Sequence, residues 1–203
     1  MSRPPVVVLD YGSGNLRSAQ RALERAGAQV VVTSDLAAAR ACAGLVVPGV
    51  GAFAACMRGL DAIGAGPVVG DRLAEDRQVL GICVGMQVLF DSGDEHGETT
   101  KGLGLLTGQV RRLRAGVLPH MGWNTLTPAP GSTLFAGLDP AARFYFVHSY
   151  AAVDTTGPVT TAEHGETFVA AVERGALSAT QFHPEKSGDA GAVVLANWIG
   201  NLR

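Results

Sequence analysis

Short apolar runs at Val6-Val7-Val8-Leu9, Val30-Val31-Val32, Leu45-Val46-Val47 and Val79 to Ile82 alternate with stretches of helical periodicity. This alternation leaves the chain few architectures. Residues that are apolar without interruption suit strands buried on both faces, and strands that alternate with helices build a parallel sheet through right-handed crossovers. Between the first two runs Leu16, Ala19, Leu23 and Ala26 recur at three- and four-residue spacing, Gly27 ends the helix, and Asp35 opens the next one. Further helices are expected from about Ala52 to Leu60 and directly after Cys83. The sequence thus predicts an α/β fold with a largely parallel central sheet and helices on both faces.

From Gly102 to Gln181 the pattern changes to short strands divided by Gly and Pro turns, among them Leu105 to Leu113, Phe144 to Val147 and Ala179 to Phe182. A closing helix is expected from about Ala190 to Leu202. This half reads as a mixed or antiparallel extension of the sheet, and residues 1–203 as a single domain. The polar stretch Asp91 to Lys101 reads as a mobile loop beside the helix that follows Cys83.

Charge narrows the partners. Sixteen basic and eighteen acidic side chains give a net charge of −2, so no general field attracts nucleic acid or an anionic membrane. Arg111, Arg112 and Arg114 form a local basic group, in which Arg112 and Arg114, alternating with Leu113, read as a solvated sheet face. Three cysteines without a C-x-x-C pair, together with no charged leader ahead of an apolar core, suggest a reducing, cytoplasmic setting. His96 and His164 read as surface residues, Cys42 and Cys56 as inert small hydrophobes, and the histidines have no metal-ligand spacing.

Cys83 is different. It stands in G-I-C-V-G-M-Q, between an apolar strand and a helix-compatible stretch, with Gly81 and Gly85 leaving room for a sharp bend. A thiol at the start of a helix has an environment that favours its thiolate. A base is then needed, and His183-Pro184-Glu185 offers one. Imidazole can take and return a proton near neutral pH, and Glu185, on the same face of an extended segment, can orient it. Nucleophile, base and orienter form the arrangement that triads share across unrelated folds. Donors for an oxyanion are available in the N–H of Val84 and in the loop Pro48-Gly49-Val50-Gly51, which closes the strand Leu45 to Val47.

G-I-C-V-G-M-Q and F-H-P-E-K together resemble the class I, triad-type glutamine amidotransferases over nearly the whole chain. Further motifs are Asp10 to Leu16, Pro48 to Phe53, Pro119 to Asn124 and Tyr145 to Tyr150. They are similar to those of glutaminase subunits that pair with a (β/α)8 cyclase in histidine biosynthesis. That resemblance implies hydrolysis of L-glutamine without a cofactor or metal, in a heterodimer that passes ammonia to the cyclase. It implies a triad of Cys83, His183 and Glu185, an oxyanion site at Gly51 and Val84, and glutamine contacts from Gly49, Gln87, Glu95, Ser149 and Tyr150. Asn15, His120, Trp123 and Lys186 match positions that face the partner. The Pro48 to Gly51 peptide is expected to turn toward the oxyanion only when the partner holds its own ligand. Other readings stay open at this point: a glutaminase serving pyridoxal phosphate or aromatic synthesis, a silent binding module, or a cysteine hydrolase of the same fold.

Overall fold

The computed structural model describes residues 3–202, so the ends of the expected 1–203 span lie outside it. In chain order the elements are β1 (Pro5–Leu9), α1 (Leu16–Arg25), β2 (Gln29–Thr33), α2 (Leu36–Ala41), β3 (Gly44–Gly49), α3 (Phe53–Ile63), α4 (Ala65–Ala74), β4 (Val79–Cys83) and α5 (Val84–Gln87). They continue with β5 (Phe90–Glu95), β6 (Glu98–Lys101), β7 (Leu106–Arg112), β8 (His120–Asn124), β9 (Phe144–His148), β10 (Tyr150–Ala152), β11 (Thr160–His164), β12 (Glu166–Arg174), β13 (Leu177–Thr180) and α6 (Gly188–Gly200).

The main sheet has the order β11-β12-β13-β4-β3-β1-β2. From β13 to β2 every neighbouring pair is parallel, while β12 is antiparallel to both of its neighbours, β11 and β13. Every residue of β3 and β4 is buried, so both faces at the sheet's centre are covered. Two groups of helices supply the cover: α1 packs with α6, and α4 packs with α2 and α3. Smaller sheets, β10-β7-β5-β6 and β8-β9, form the extension.

The structure corrects the sequence reading at several places. Asp91 to Lys101 is not a loop: β5 and β6 pair antiparallel from Ser92–Lys101 to Glu95–Glu98. Their two-residue turn, His96-Gly97, has positive φ at both positions (55° and 81°), as a primed hairpin turn requires. Helix α4 went unread because Gly66, Pro67 and Gly70 lower its propensity. Pro67 is nevertheless harmless in a first turn, and the buried Ala65, Val68, Val69 and Arg72 have helical spacing. The helix after Cys83 is a single turn, and β13 ends at Thr180, ahead of Gln181 and Phe182. Arg112 and Arg114 are exposed, as a solvated face requires, while both terminal nitrogens of the neighbouring Arg111 donate to the Glu166 carboxylate at 2.8 Å.

Candidate active site

Three neighbouring parallel strands, β3, β4 and β13, carry their C-terminal ends to one edge of the sheet. In α/β sheets ligands collect at such an edge. Gly49 pairs with Cys83 in register, and the chain reaches His183 three residues beyond the end of β13. The segments 49–51, 83–84 and 183 therefore meet because of strand order, although they are far apart in the chain.

Cys83 has φ 55° and ψ −112°, a conformation that a side chain rarely adopts, at the junction between β4 and α5. The bend is tight because α5 lies directly on β3. A Cβ on Gly85 would fall 1.9 Å from the Val47 carbonyl oxygen, and one on Gly49 would fall 2.4 Å from the Gly85 nitrogen. Val84 opens the helical turn, so its N–H has no intrahelical acceptor.

His183 and Glu185 are brought together by a turn and not by the extended segment expected from the sequence. Pro184–Lys186 is a 3-10 turn, in which His183 Nδ1 lies 2.7 Å from Glu185 Oε1 and both side chains are 3% exposed. The Nδ1 contact leaves Nε2 for the thiol. Burial disfavours a charged imidazole, yet hydrogen bonds to Cys83 and Glu185 and the negative charge of both outweigh it, raising the His183 pKa to about 9. The site therefore favours an imidazolium, the partner a thiolate needs. Burial pushes the thiols of both Cys42 and Cys56 up.

A cavity of about 260 Å³ opens above these groups. Cys83, Val84, Gly51, Gln87, Glu95, Ser149, Tyr150, His183 and Lys186 line it, whereas Gly49, Glu185, Asn15, His120 and Trp123 do not. Gly49 lies behind the elbow, where its lack of a side chain permits the close approach of α5. Glu95 Oε2 accepts from the Phe53 N–H at 2.9 Å, tying the hairpin to the start of α3. The Lys186 ammonium lies 5.9 Å from the centre of the Tyr145 ring. Asn15 precedes α1, Trp123 is 53% exposed, and His120 is buried.

The loop between β3 and α3 is held from the β1–α1 connection. Ser13 Oγ donates to the Val50 carbonyl at 2.9 Å and accepts from the Val50 N–H at 3.2 Å, and the Tyr11 hydroxyl donates to the Pro48 carbonyl. The Val50 N–H is thus engaged by Ser13.

Two features escaped the sequence reading. Gln181, fully buried, places its amide between Gln87 and Cys83. No motif flags it, although a glutamine two residues before His183 is an uncommon occupant of a core position. The second is a histidine cluster. His120 Nδ1 lies 3.1 Å from His148 Nε2, and His164, read as a surface residue, stacks on His120 with ring centres 4.2 Å apart.

Burial and the neighbouring imidazoles lower His120 to about 4 and His148 to about 3, so both are neutral at pH 7. Above pH 6.5 neither the folded nor the unfolded chain protonates these residues. Below it the unfolded chain takes up protons that the folded one refuses. The contribution of these two histidines to stability is therefore complete above pH 6.5 and falls as the pH drops toward 4, by about 2 kcal/mol per pH unit for the two together. Urea denaturation between pH 7 and 4.5 measures the slope, which should be shallower in a His120→Gln protein.

An α/β sheet with a thiol on a strained strand-to-helix bend, an imidazole and carboxylate beside it, and a cavity above defines a class of hydrolytic site that transfers acyl groups through sulfur. Residues 7–201 match the family described as glutamine amidotransferase class-I, and the chain belongs to that family. It is 60% identical over 211 residues to the imidazole glycerol phosphate synthase subunit HisH of Nocardia farcinica, and 61% identical over 206 residues to that of Mycobacterium bovis, covering 100% of both chains in each case. These relatives place it with the HisH subunits of that family. Among solved structures, PurLQS from Thermotoga maritima shares the fold, with a TM-score of 0.74, 20% identity and 100% of both chains covered.

Proposed function

We propose that this amidotransferase subunit hydrolyses L-glutamine to L-glutamate and ammonia, and that it delivers the ammonia to a (β/α)8 cyclase subunit that makes imidazole glycerol phosphate. The observation that carries the chemistry is the His183 imidazole, held by Glu185 at 2.7 Å and lining one cavity together with Cys83.

The Cys83 thiolate attacks the side-chain carboxamide carbon of glutamine, and the resulting oxyanion is met by the Val84 and Gly51 N–H groups. His183, as imidazolium, gives its proton to the leaving nitrogen, so ammonia departs and a γ-glutamyl thioester remains. Water then attacks that thioester while His183 takes a proton from it, and collapse of the second tetrahedral intermediate releases glutamate and the thiolate. Glu185 keeps the imidazole's Nδ1 proton in place throughout. Gln87, Glu95, Ser149 and Tyr150 line the cavity and hold the substrate; Gly49 acts from behind, through the shape of the loop.

A separate ammonia-using partner suits the chemistry, because ammonia released into water is protonated and loses its nucleophilicity. Met121 and Trp123 on β8, 66% and 53% exposed, leave an apolar edge for such a partner, with Asn15 and Lys186 as its polar contacts and His120 supporting β8 from beneath. Ser13 engages both the C=O and the N–H of Val50, and we read these contacts as a resting arrangement from which liganded cyclase turns the Pro48 to Gly51 peptide toward the oxyanion. We place the complex in the cytoplasm; among the described residues no helix is long and apolar enough to cross a membrane.

Glutamate release by the isolated protein, with cyclase, and with cyclase holding its ligand tests this reading. Turnover should be lowest in isolation and highest with liganded cyclase, and equal rates in all three would contradict the coupling. In the same assay Glu185→Gln should lower kcat about a hundredfold with little change in KM, because the imidazole keeps its place but loses its counter-charge.

A further inference from the structure

Gln181 is 0% exposed, and its two amide ends have different partners. Its Oε1 accepts from Gln87 Nε2 at 2.9 Å, and its Nε2 lies 3.8 Å from Cys83 Sγ. A buried amide is costly unless both ends are used, and here the sulfur completes the second end.

Chemistry fixes which end is which. The Tyr150 carbonyl can only accept, so the Gln87 atom 2.8 Å from it is the amide nitrogen. The same nitrogen faces Gln181, which must therefore present its oxygen there and turn its N–H toward sulfur. His148 Nδ1 lies 3.0 Å from that same carbonyl and so carries the hydrogen. The two hydrogens of Gln87 Nε2 are thereby used within the protein, leaving its Oε1 for substrate.

We propose that Gln181 is a positioning residue for the nucleophile: braced by Gln87, its amide directs the Cys83 sulfur toward the cavity and favours the thiolate. An N–H aimed at sulfur stabilises the charged form and restricts rotation of the side chain. The role deepens the glutaminase reading and rests on it for turnover, whereas the thiol titration stands without it.

The test is the pH dependence of iodoacetamide alkylation at Cys83, mapped by mass spectrometry, for the unmodified protein and Gln181→Met, with glutamine turnover measured in the cyclase complex. In Gln181→Met the alkylation profile should move to higher pH, slowing the reaction at pH 7 roughly tenfold, and kcat should fall with KM held within about twofold. An unshifted profile in folded Gln181→Met overturns the proposal. A shifted profile in a complex that does not use glutamine supports Gln181 while sinking the glutaminase reading. Should Gln181→Met fail to fold, the Gln181 side-chain amide resonances of the unmodified protein decide: they should follow the Cys83 titration and cease to do so in Cys83→Ser, and resonances indifferent to that titration overturn the proposal.

Discussion

Cys83→Ala lowers glutamine-dependent turnover by a factor of about 10⁴ or more, and leaves ammonia-dependent synthesis by the cyclase complex within about twofold of its original rate. The first effect follows from losing the sulfur proposed to form the thioester. The second follows because the cavity, the loop contacts and the exposed edge of β8 do not depend on sulfur. Parallel assays with glutamine and with ammonium chloride separate the two. The position also stores strain: with φ 55° and ψ −112°, Cys83 adopts backbone angles that suit glycine. Cys83→Gly should therefore be inactive yet about 1 kcal/mol more stable than the unmodified protein. Such a gain would mark the bend as held in place for chemistry at a cost to stability.

Gly85→Ala should damage the fold and the site together. The added carbon would lie 1.9 Å from the Val47 oxygen, 2.8 Å from the Val47 carbonyl carbon and 3.0 Å from that of Pro48. All three atoms are main chain of β3, a central and fully buried strand, so no side chain can swing aside. Either α5 lifts from the sheet or the strand moves, and we expect a loss of about 3 kcal/mol in chemical denaturation. Because β3 leads into the Pro48 to Gly51 loop and α5 begins at Val84, both proposed oxyanion donors move with it. Turnover should fall even at temperatures where the variant stays folded. Gly70→Ala is the matched control: it lies within α4 with no atom within 4 Å of the added carbon, and should be neutral or stabilising by about 0.5 kcal/mol.

What could be read from the sequence follows from which forces act locally. The strands β1, β3 and β4 were legible because burial on both faces writes an uninterrupted apolar run. Helix α1 was legible because one face alone is buried, at Ala19, Ala22 and Leu23. The hairpin of β5 and β6 was hidden by its polarity and by a His-Gly turn in place of the usual Asn-Gly. Cys83 and the 183–185 cluster stood out because each carries a local device, glycines in one case and a proline in the other. Even there the turn that joins His183 to Glu185 differed from the extended segment expected. Gln181 could not be found this way. Its meaning lies in Gln87 and Cys83, both more than ninety residues away, and only the pairing of β13 with β4 brings them together. His164 was misread for the same reason: its partner, His120, comes from β8 across the extension.

On the proposed mechanism, sulfur at position 83 carries the glutamyl group. Acid quenching of the liganded cyclase complex during steady-state turnover of isotopically labelled glutamine, followed by peptide mass spectrometry, tests it directly. A labelled γ-glutamyl adduct is expected on the peptide containing Cys83 and is absent from Cys83→Ala. Labelled glutamate released at full rate by the Cys83→Ala complex, or an adduct found at Cys42 or Cys56 instead, would contradict it.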